Sequence, residues 1–465
     1  MKNKYSNTIL VLLFPLLLIV NQFYGQCFTK ISTSTSSHIV AIKSDGTFWT
    51  WGSNNGWQMG NTTAIPEYNP IQLSTANNWI FGVAGKDNNT FVIRNDNTLW
   101  GVGANQFGQL GIGSTIIGQP TFSQIGNATW KHLSGGSHSY GIRTNGTLWG
   151  WGQNDGRQMG SAVTCCSNVL SPVQINPDTD WKQVEASQVR NGIAIKENGT
   201  LWGWGTNGGM LGSSGVSTVN FPTQLWPGND WEYISVGANH LLGLKTNGEL
   251  WTFGGNANGQ AGTGFNQSTA RRLGEEYWMY VSAGTQSSYA IKSDGTLWAW
   301  GRNDQSQLGD GTTIQRNAPV QIGTDSNWVA VAGGFFHAVA LKSDGSLWAW
   351  GNNQFGQYGN GTTTTSPTPL YIPVEGCSLS ISDFQQIPVV IAPNPAKETT
   401  TLYFKNTLEK VSLKVYDFAG RILLNQEAGG IKEYQLNTSD YAVGVYMVEV
   451  KNNGKLVGSY RLVKE

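Results

Sequence analysis

Short apolar runs alternate with glycine-bearing polar turns along most of the chain, and one such pattern returns at a nearly fixed period. Residues 338–359 read AVALKSDGSLWAWGNNQFGQYG, residues 290–309 read AIKSDGTLWAWGRNDQSQLG, and residues 141–160 read GIRTNGTLWGWGQNDGRQMG. A Leu/Phe-Trp step ends at Trp49, Trp100, Trp149, Trp202, Trp251, Trp298 and Trp348, at intervals of 47–53 residues. Self-similarity at such a period marks a repeat architecture, here of seven copies. A turn pair precedes each step: Asp45-Gly46, Asp96-Asn97, Asn145-Gly146, Asn198-Gly199, Asn247-Gly248, Asp294-Gly295 and Asp344-Gly345. Tight hairpin turns need positive φ, which Gly, Asn and Asp tolerate, so each copy predicts a β-hairpin.

Two further strand-like pieces fill each period. One has the form Pro-x-Gln-Ile, as in residues 172–175 and 319–322; the other starts at a Trp, as in residues 130–134 and 328–332. Four short strands per copy predict one blade of a β-propeller. Leu297 and Ala299 fall on one strand face and Trp298 and Trp300 on the other. Apolar residues on both faces suit sheets covered from both sides. The expected fold is all-β: a seven-bladed β-propeller followed by a small Ig-like β-sandwich. Residues 30–43 (KISTSTSSHIVAIK) resemble the second half of a copy, and residues 367–373 resemble the Pro-x-Gln-Ile strand, after which the pattern stops. The expectation is a strap in which N-terminal strands complete the blade begun at the C-terminal end, leaving no exposed edge. Cys27 precedes the first copy and Cys377 follows the last, so a disulfide between them would lock this seam. With Cys165 and Cys166 the four cysteines allow three pairings.

Composition sharpens the destination. Charged residues are 12% of the chain and the formal net charge is zero, which speaks against a nucleic-acid partner. Lys2, Lys4 and the apolar run of residues 8–20 form a secretory signal, expected to end at Gly25 and too short to span a bilayer. No later segment predicts a transmembrane span. Export permits disulfides.

The Ile-Lys-Ser-Asp-Gly-Thr-Leu-Trp-Ala-Trp-Gly text, the Asn-x-x-Gly-Gln-Leu-Gly loop and the Ala-Gly-x-x-His start resemble regulator of chromosome condensation repeats over about residues 28–373. The resemblance implies a seven-bladed propeller. The family's namesake is a nuclear exchange factor that binds chromatin, and a related secreted bacterial propeller inhibits β-lactamase; fold alone transfers neither activity. Composition changes after Cys377: Trp disappears and Lys and Glu become common. Residues 378–388 read as a linker and residues 389–465 as a β-sandwich. Its landmarks are Pro393-Asn394-Pro395, Gly420-Arg421 after Val415-Tyr416-Asp417, and Gly444-Val445-Tyr446. In this order at the chain end they resemble the C-terminal sorting domain of type IX secretion substrates. That implies passage across the outer membrane through the type IX machinery, then release or surface attachment.

Few residues stand out as carriers of chemistry. Eighteen of the 20 Trp are repeat-periodic and read as blade packing; Trp57 and Trp226 fall outside the pattern. His38, His138, His240 and His337 share one register with Asn89, Asn191 and Ser287, which reads as a polar position bonding the blade turn rather than a metal or proton-transfer ring. His132 lies off that register. No nucleophile elbow, zinc motif or phosphate loop is present, so no catalytic residue, metal ligand or cofactor is assigned. Cys165-Cys166 reads as a loop staple. The loops after Trp-x-Trp-Gly vary between copies and share one face by propeller symmetry. Trp57, Phe107, Arg157 and Phe355 in them are of types enriched at interface hot spots. The function expected is a secreted, non-enzymatic propeller that binds an extracellular or cell-surface macromolecule, a protein first. The alternatives are a polysaccharide-binding protein or a polymer-degrading hydrolase or lyase.

Overall fold

The computed structural model describes residues 27–464, apart from residues 75, 161–162, 164–165, 213–215, 265–266, 375–376, 378–388, 395, 417–421, 442–443 and 454. The expected signal segment, Cys165, Pro395, Gly420 and Arg421 lie outside the described residues. Each repeat forms a four-stranded antiparallel sheet. In the first blade, Phe28–Thr33, His38–Lys43, Phe48–Gly52 and Glu67–Gln72 pair in chain order; in the last, Trp328–Gly333, His337–Lys342, Leu347–Gly351 and Ser366–Ile372 do the same. One 17-residue strand, Gly118–Ser134, serves two blades. Its Gln124 pairs with Trp100 and its Trp130 with Arg143, so the outer edge of the second blade runs on into the inner edge of the third. The first strands of all seven blades line a common axial cavity.

The repeated text acts locally. In the hairpin turn, Asp45 Oδ1 accepts from the Thr47 N–H and hydroxyl at 2.9 and 2.6 Å, and Thr47 Oγ1 accepts from Trp49 Nε1 at 2.8 Å. The same relay recurs at Asp96–Thr98–Trp100 and Asp294–Thr296–Trp298. The cation ending the second strand lies between two aromatic rings. Arg143 sits 3.4 Å from the Trp149 ring and 5.3 Å from Trp130; Lys342 sits 3.8 Å from Trp348 and 4.6 Å from Trp328. This cation–π sandwich assigns the periodic Trp to the scaffold. The second Trp of Trp-x-Trp binds the preceding blade: Trp151 Nε1 donates to Gln109 O, Trp204 to Gln158 O and Trp300 to Gln260 O, at 2.7–2.9 Å.

Adjacent blades are pinned at the opposite end by the backbone. The strand-opening N–H of Trp79, Trp130, Trp181, Trp231, Trp278 and Trp328 donates to Gly46, Asn97, Gly146, Gly199, Gly248 and Gly295 respectively, at 2.8–3.2 Å. Asn97 shows that the position tolerates a non-glycine residue in the second blade, but most copies leave no room for a side chain. Gly146 has φ +82°, and a Cβ on it would lie 1.9 Å from the Thr179 carbonyl oxygen.

The seventh seam corrects the expected strap. Among the described residues no strand from the N-terminal side joins the last sheet; both terminal blades are built from four consecutive strands. The copy boundary lies before the strand-opening aromatic, not before the hairpin, so each blade is whole within its own stretch. Phe28 takes the Trp position, pairing with Lys43 as Trp79 pairs with Arg94. The ring closes by packing: Phe28, Ile39 and Trp51 join Val339, Leu347, Tyr358 and Ile372 in one buried cluster. Trp51 Nε1 donates to Gln357 O at 2.8 Å across the seam, and Thr33 Oγ1 meets His337 Nε2 at 2.8 Å. Cys27 and Cys377 are joined by a disulfide beside the Gly345 turn, where the other seams carry the backbone bond.

In the C-terminal region, Val389–Ala392, Thr399–Tyr416, Ile422–Asn437, Gly444–Asn452 and Lys455–Lys464 form one sheet around a core of its own, with Leu402, Leu413, Val448, Val450 and Leu462 buried. The first half of Thr399–Tyr416 pairs with Val389–Ala392 and the second half with Gly444–Asn452, while Ile422–Asn437 follows both halves. The long strands thereby wrap a single core as a small β-sandwich. Asn394 Oδ1 accepts from Val463 N at 2.8 Å, and Tyr446 is buried against Tyr441, tying two sorting landmarks into the fold. Among the described residues no helix is long and apolar enough to cross a membrane.

Candidate functional site

Two places combine side chains that the scaffold does not use: the loop face and the axial cavity. The loop after each third strand is built by its first Asn. Asn54 Oδ1 accepts from Met59 N at 3.0 Å and its Nδ2 donates to Thr63 O at 2.8 Å; Asn105 and Asn303 repeat this with Leu110 and Leu308. His38 pairs with Gly52 across the sheet, so these loops and the turns after the first strands share one end of every blade. Trp57, Phe107, Arg157 and Phe355 lie in the corresponding loops of the first, second, third and seventh blades, which are consecutive around the ring; Trp57 and Arg157 stand three residues after the loop Asn, and Phe107 and Phe355 two. All four are half-buried. Trp57, at φ +59°, lies so close to Gly118 that a Cβ there would be 2.3 Å from its ring. Among the described residues, the more exposed apolar side chains at the loop ends of this face are others: Ile65 (66%), Ile117 (77%) with Ile116 beside it, Ile314 (61%) and Val216. Each lies one or two residues before a fourth strand. Sequence reasoning missed them because isolated aliphatic residues in polar loops carry no motif.

The shared His/Asn/Ser register is structural, and its bonds run mainly to the next blade. His38 Nε2 meets Thr90 Oγ1 at 2.7 Å, His138 Nε2 donates to Asn191 O at 3.2 Å, and His240 Nε2 meets Ser288 Oγ at 3.0 Å. Burial pushes His38, His240 and His337 down to about 3 and His138 to about 4, so these imidazoles are neutral at neutral pH.

The axial cavity encloses roughly 680 Å³. Strand alternation sends two residues of each first strand inward. The layer two residues after the strand-opening aromatic holds Phe81, His132, Gln183, Tyr233 and Tyr280, with Lys30 and Ala330. The layer two residues further holds Glu185, Ser32, Ser134, Ser235 and Ser282, with Val83 and Ala332. The four serines brace the next blade: Ser32 Oγ accepts from Ala84 N, Ser134 Oγ from Ala186 N, Ser235 Oγ from Ala283 N and Ser282 Oγ from Gly333 N, at 2.9–3.2 Å. At the loop-face end Lys86 reaches across the axis. Its Nζ donates to Ala186 O at 2.5 Å and Val236 O at 2.7 Å, while Gln188 Nε2 donates to Thr35 Oγ1 at 2.9 Å. These braces close that end.

Burial lowers the Lys86 ammonium, offset in part by the nearby Glu185 carboxylate, and lowers His132 for the same reason. Burial raises the Tyr233 and Tyr280 phenols, and Glu185 adds to both. Glu185 is thus close to four titratable groups of the cavity. His132 Nε2 donates to Val184 O at 3.0 Å, which leaves Nδ1 as an acceptor. Glu185 is the one carboxylate among the residues lining this cavity, so it holds no carboxylate pair of the kind that hydrolyses glycosides. Among the described residues no group of three or more His, Cys, Asp or Glu side chains could hold a metal ion. Cys166, in the third blade's loop, is disulfide-bonded.

A seven-bladed propeller with stapled loops on one face, joined to a separate β-sandwich, is the class defined by this geometry. Residues 133–392 match the RCC1-like domain, and the chain belongs to that family. Residues 390–465 match the secretion system C-terminal sorting domain. The protein is therefore a type IX secretion substrate, carried to the cell exterior or the outer-membrane surface. The chain is 27% identical to the ultraviolet-B receptor UVR8 of Arabidopsis thaliana over 247 residues, covering 49% of this chain and 53% of that protein. It is 33% identical to mouse (Mus musculus) protein RCC2 over 99 residues, covering 21% and 19%. The chain thus spans about half the length of the first of these relatives and a fifth of the second. Human WBSCR16 superposes with a TM-score of 0.64 at 18% identity, covering 71% of this chain and 95% of that one. Prp20p of Saccharomyces cerevisiae gives 0.61 at 18%, covering 79% and 91%.

Proposed function

We propose that this secreted propeller is a non-catalytic binding protein whose loop face docks a protein partner outside the cell. The observation that carries the reading is the set of exposed aliphatic residues at the loop ends, Ile65, Ile117, Val216 and Ile314, spread over four blades of one face. Single exposed apolar residues are ordinary on a protein surface; what supports the reading is that four of them stand at the loop ends of the same face. Trp57, Phe107, Arg157 and Phe355, half-buried in the same loops, supply larger anchors beside them. The loops are held by side-chain-to-backbone bonds, so binding would order little further chain and most of the contact energy would remain as affinity. The related Prp20p has been described together with its binding to Gsp1p and histones, a protein-binding use of this fold.

The test is binding of the secreted protein to cells or culture supernatant of its own host, with and without Ile65, Ile117, Val216 and Ile314 replaced together by Ser. The expected result is loss of a discrete partner with unchanged folding. Unchanged capture by the variant overturns the proposal.

A further inference from the structure

The axial cavity has a lining separate from the exposed residues of the loop face. Its two layers differ in chemistry. Near the open end, Phe81, His132, Tyr233 and Tyr280 present rings: Phe81 and His132 lie 5.7 Å apart by centroid, and Tyr233 and Tyr280 6.2 Å. Toward the closed end stand one carboxylate and one ammonium, Glu185 and Lys86. Glu185 accepts from Ser134 Oγ at 3.0 Å and forms no ion pair among the described residues. Lys86 spends two bonds on backbone carbonyls and retains a third N–H. Thr285, also at that end, has a buried hydroxyl without a hydrogen-bond partner. Charges and hydroxyls enclosed with spare bonding capacity are costly unless something completes them.

We infer that the cavity binds a small zwitterion with an aromatic side chain, an aromatic α-amino acid in chemical class. Its ammonium would pair with Glu185, its carboxylate with Lys86, and its ring would lie among Phe81, Tyr233 and Tyr280. Opposite charges at the closed end match a zwitterion better than a simple cation or anion, either of which would leave one of Glu185 and Lys86 unmatched. The volume exceeds one such molecule, so water or a second residue of a dipeptide fills the remainder. No covalent step is involved.

The test is calorimetric titration of the full mature protein with L-phenylalanine, phenethylamine and 3-phenylpropanoate, which share the ring and differ in charge. The expected result is one-site binding of L-phenylalanine, with each half-charged probe at least about tenfold weaker, or about 1.4 kcal/mol. Glu185→Gln and, separately, Tyr280→Leu should each weaken L-phenylalanine about tenfold while the Trp-fluorescence melting curve stays in place. The Tyr280 variant keeps the test decisive if Glu185→Gln fails to fold. Three results would overturn the inference: no heat with any probe at about 10 mM, phenethylamine binding as tightly as L-phenylalanine, or unchanged affinity in the folded variants.

Discussion

Replacing Cys27 and Cys377 by Ser should weaken the propeller by a large and calculable amount. The bond joins residues 350 positions apart, and by chain entropy such a closure destabilises the unfolded state by about 6 kcal/mol at 25 °C. Engineered and native bridges commonly deliver less, so a loss of roughly 3–6 kcal/mol is expected. An unfolding entropy near 2.1 cal/mol/K per residue, over the roughly 350 residues of the ring, converts this to a fall in Tm of about 4–8 °C. The native seam itself keeps the Trp51–Gln357 bond, the Thr33–His337 bond and the buried cluster around Phe28 and Ile372. The variant should therefore fold, and unfold more easily. Every Trp of the chain precedes Cys377, so Trp fluorescence reads the propeller without interference from the C-terminal sandwich. Urea titration and thermal melts of the oxidised and double-Ser proteins give the comparison. A fall in Tm under about 2 °C, or peptide mapping that finds both thiols free in secreted protein, would refute the reasoning.

Three further outcomes follow from the geometry. The His38, His138, His240 and His337 imidazoles are held near 3–4 when folded against about 6.5 unfolded, so the unfolded chain binds more protons in between; stability is full above pH 6.5 and falls as pH drops toward 3, by roughly 2 kcal/mol per histidine at pH 5. Melts from pH 7 to 4.5 check this, and replacing His38 and His337 by Asn, already used at Asn89 and Asn191, should flatten the dependence; an equally steep fall in that variant contradicts it. Gly146→Ala places a methyl 1.9 Å from Thr179 O at a positive φ, so the seam between the third and fourth blades must open, at about 3 kcal/mol or more; a melt within 1–2 °C of the parent would show that the seam tolerates it. Fusing residues 378–465 to a signal-bearing reporter should carry it outside a type IX-competent host, whereas retention in the periplasm would contradict the sorting role.

The scaffold was legible because it repeats. Seven Asp/Asn-Gly/Asn turns, the Leu-Trp-x-Trp-Gly strand and the paired cations all recur, and each repetition turned out to be a packing or hydrogen-bonding device. The expected strap failed through phase alone. Residues 30–43 look like half a copy only when counting starts at the hairpin; started at Phe28, which replaces the Trp of the other blades, the copy is whole. The cavity was hidden for the opposite reason. Its residues differ between copies, as Lys30, Phe81, His132, Gln183, Tyr233, Tyr280 and Ala330 do at one register, and a search for shared text discards such positions. Variation at a fixed inward-facing register is the signal that would have found it. Trp57, Phe107, Arg157 and Phe355 were chosen by residue type. How far each is covered depends on neighbouring blades, such as Gly118 beneath Trp57, and no local pattern encodes that.

The most direct measurement of the binding role is site-resolved photo-crosslinking on the secreted protein in its host. A crosslinker is placed at Ile117 or Ile314 on the loop face, and at exposed Asn229 or Ser326 in the connectors of the opposite face. One discrete protein adduct is expected from the loop-face positions and none from the connectors. Adducts of equal yield from both faces, or none from the loop face, would contradict the binding role.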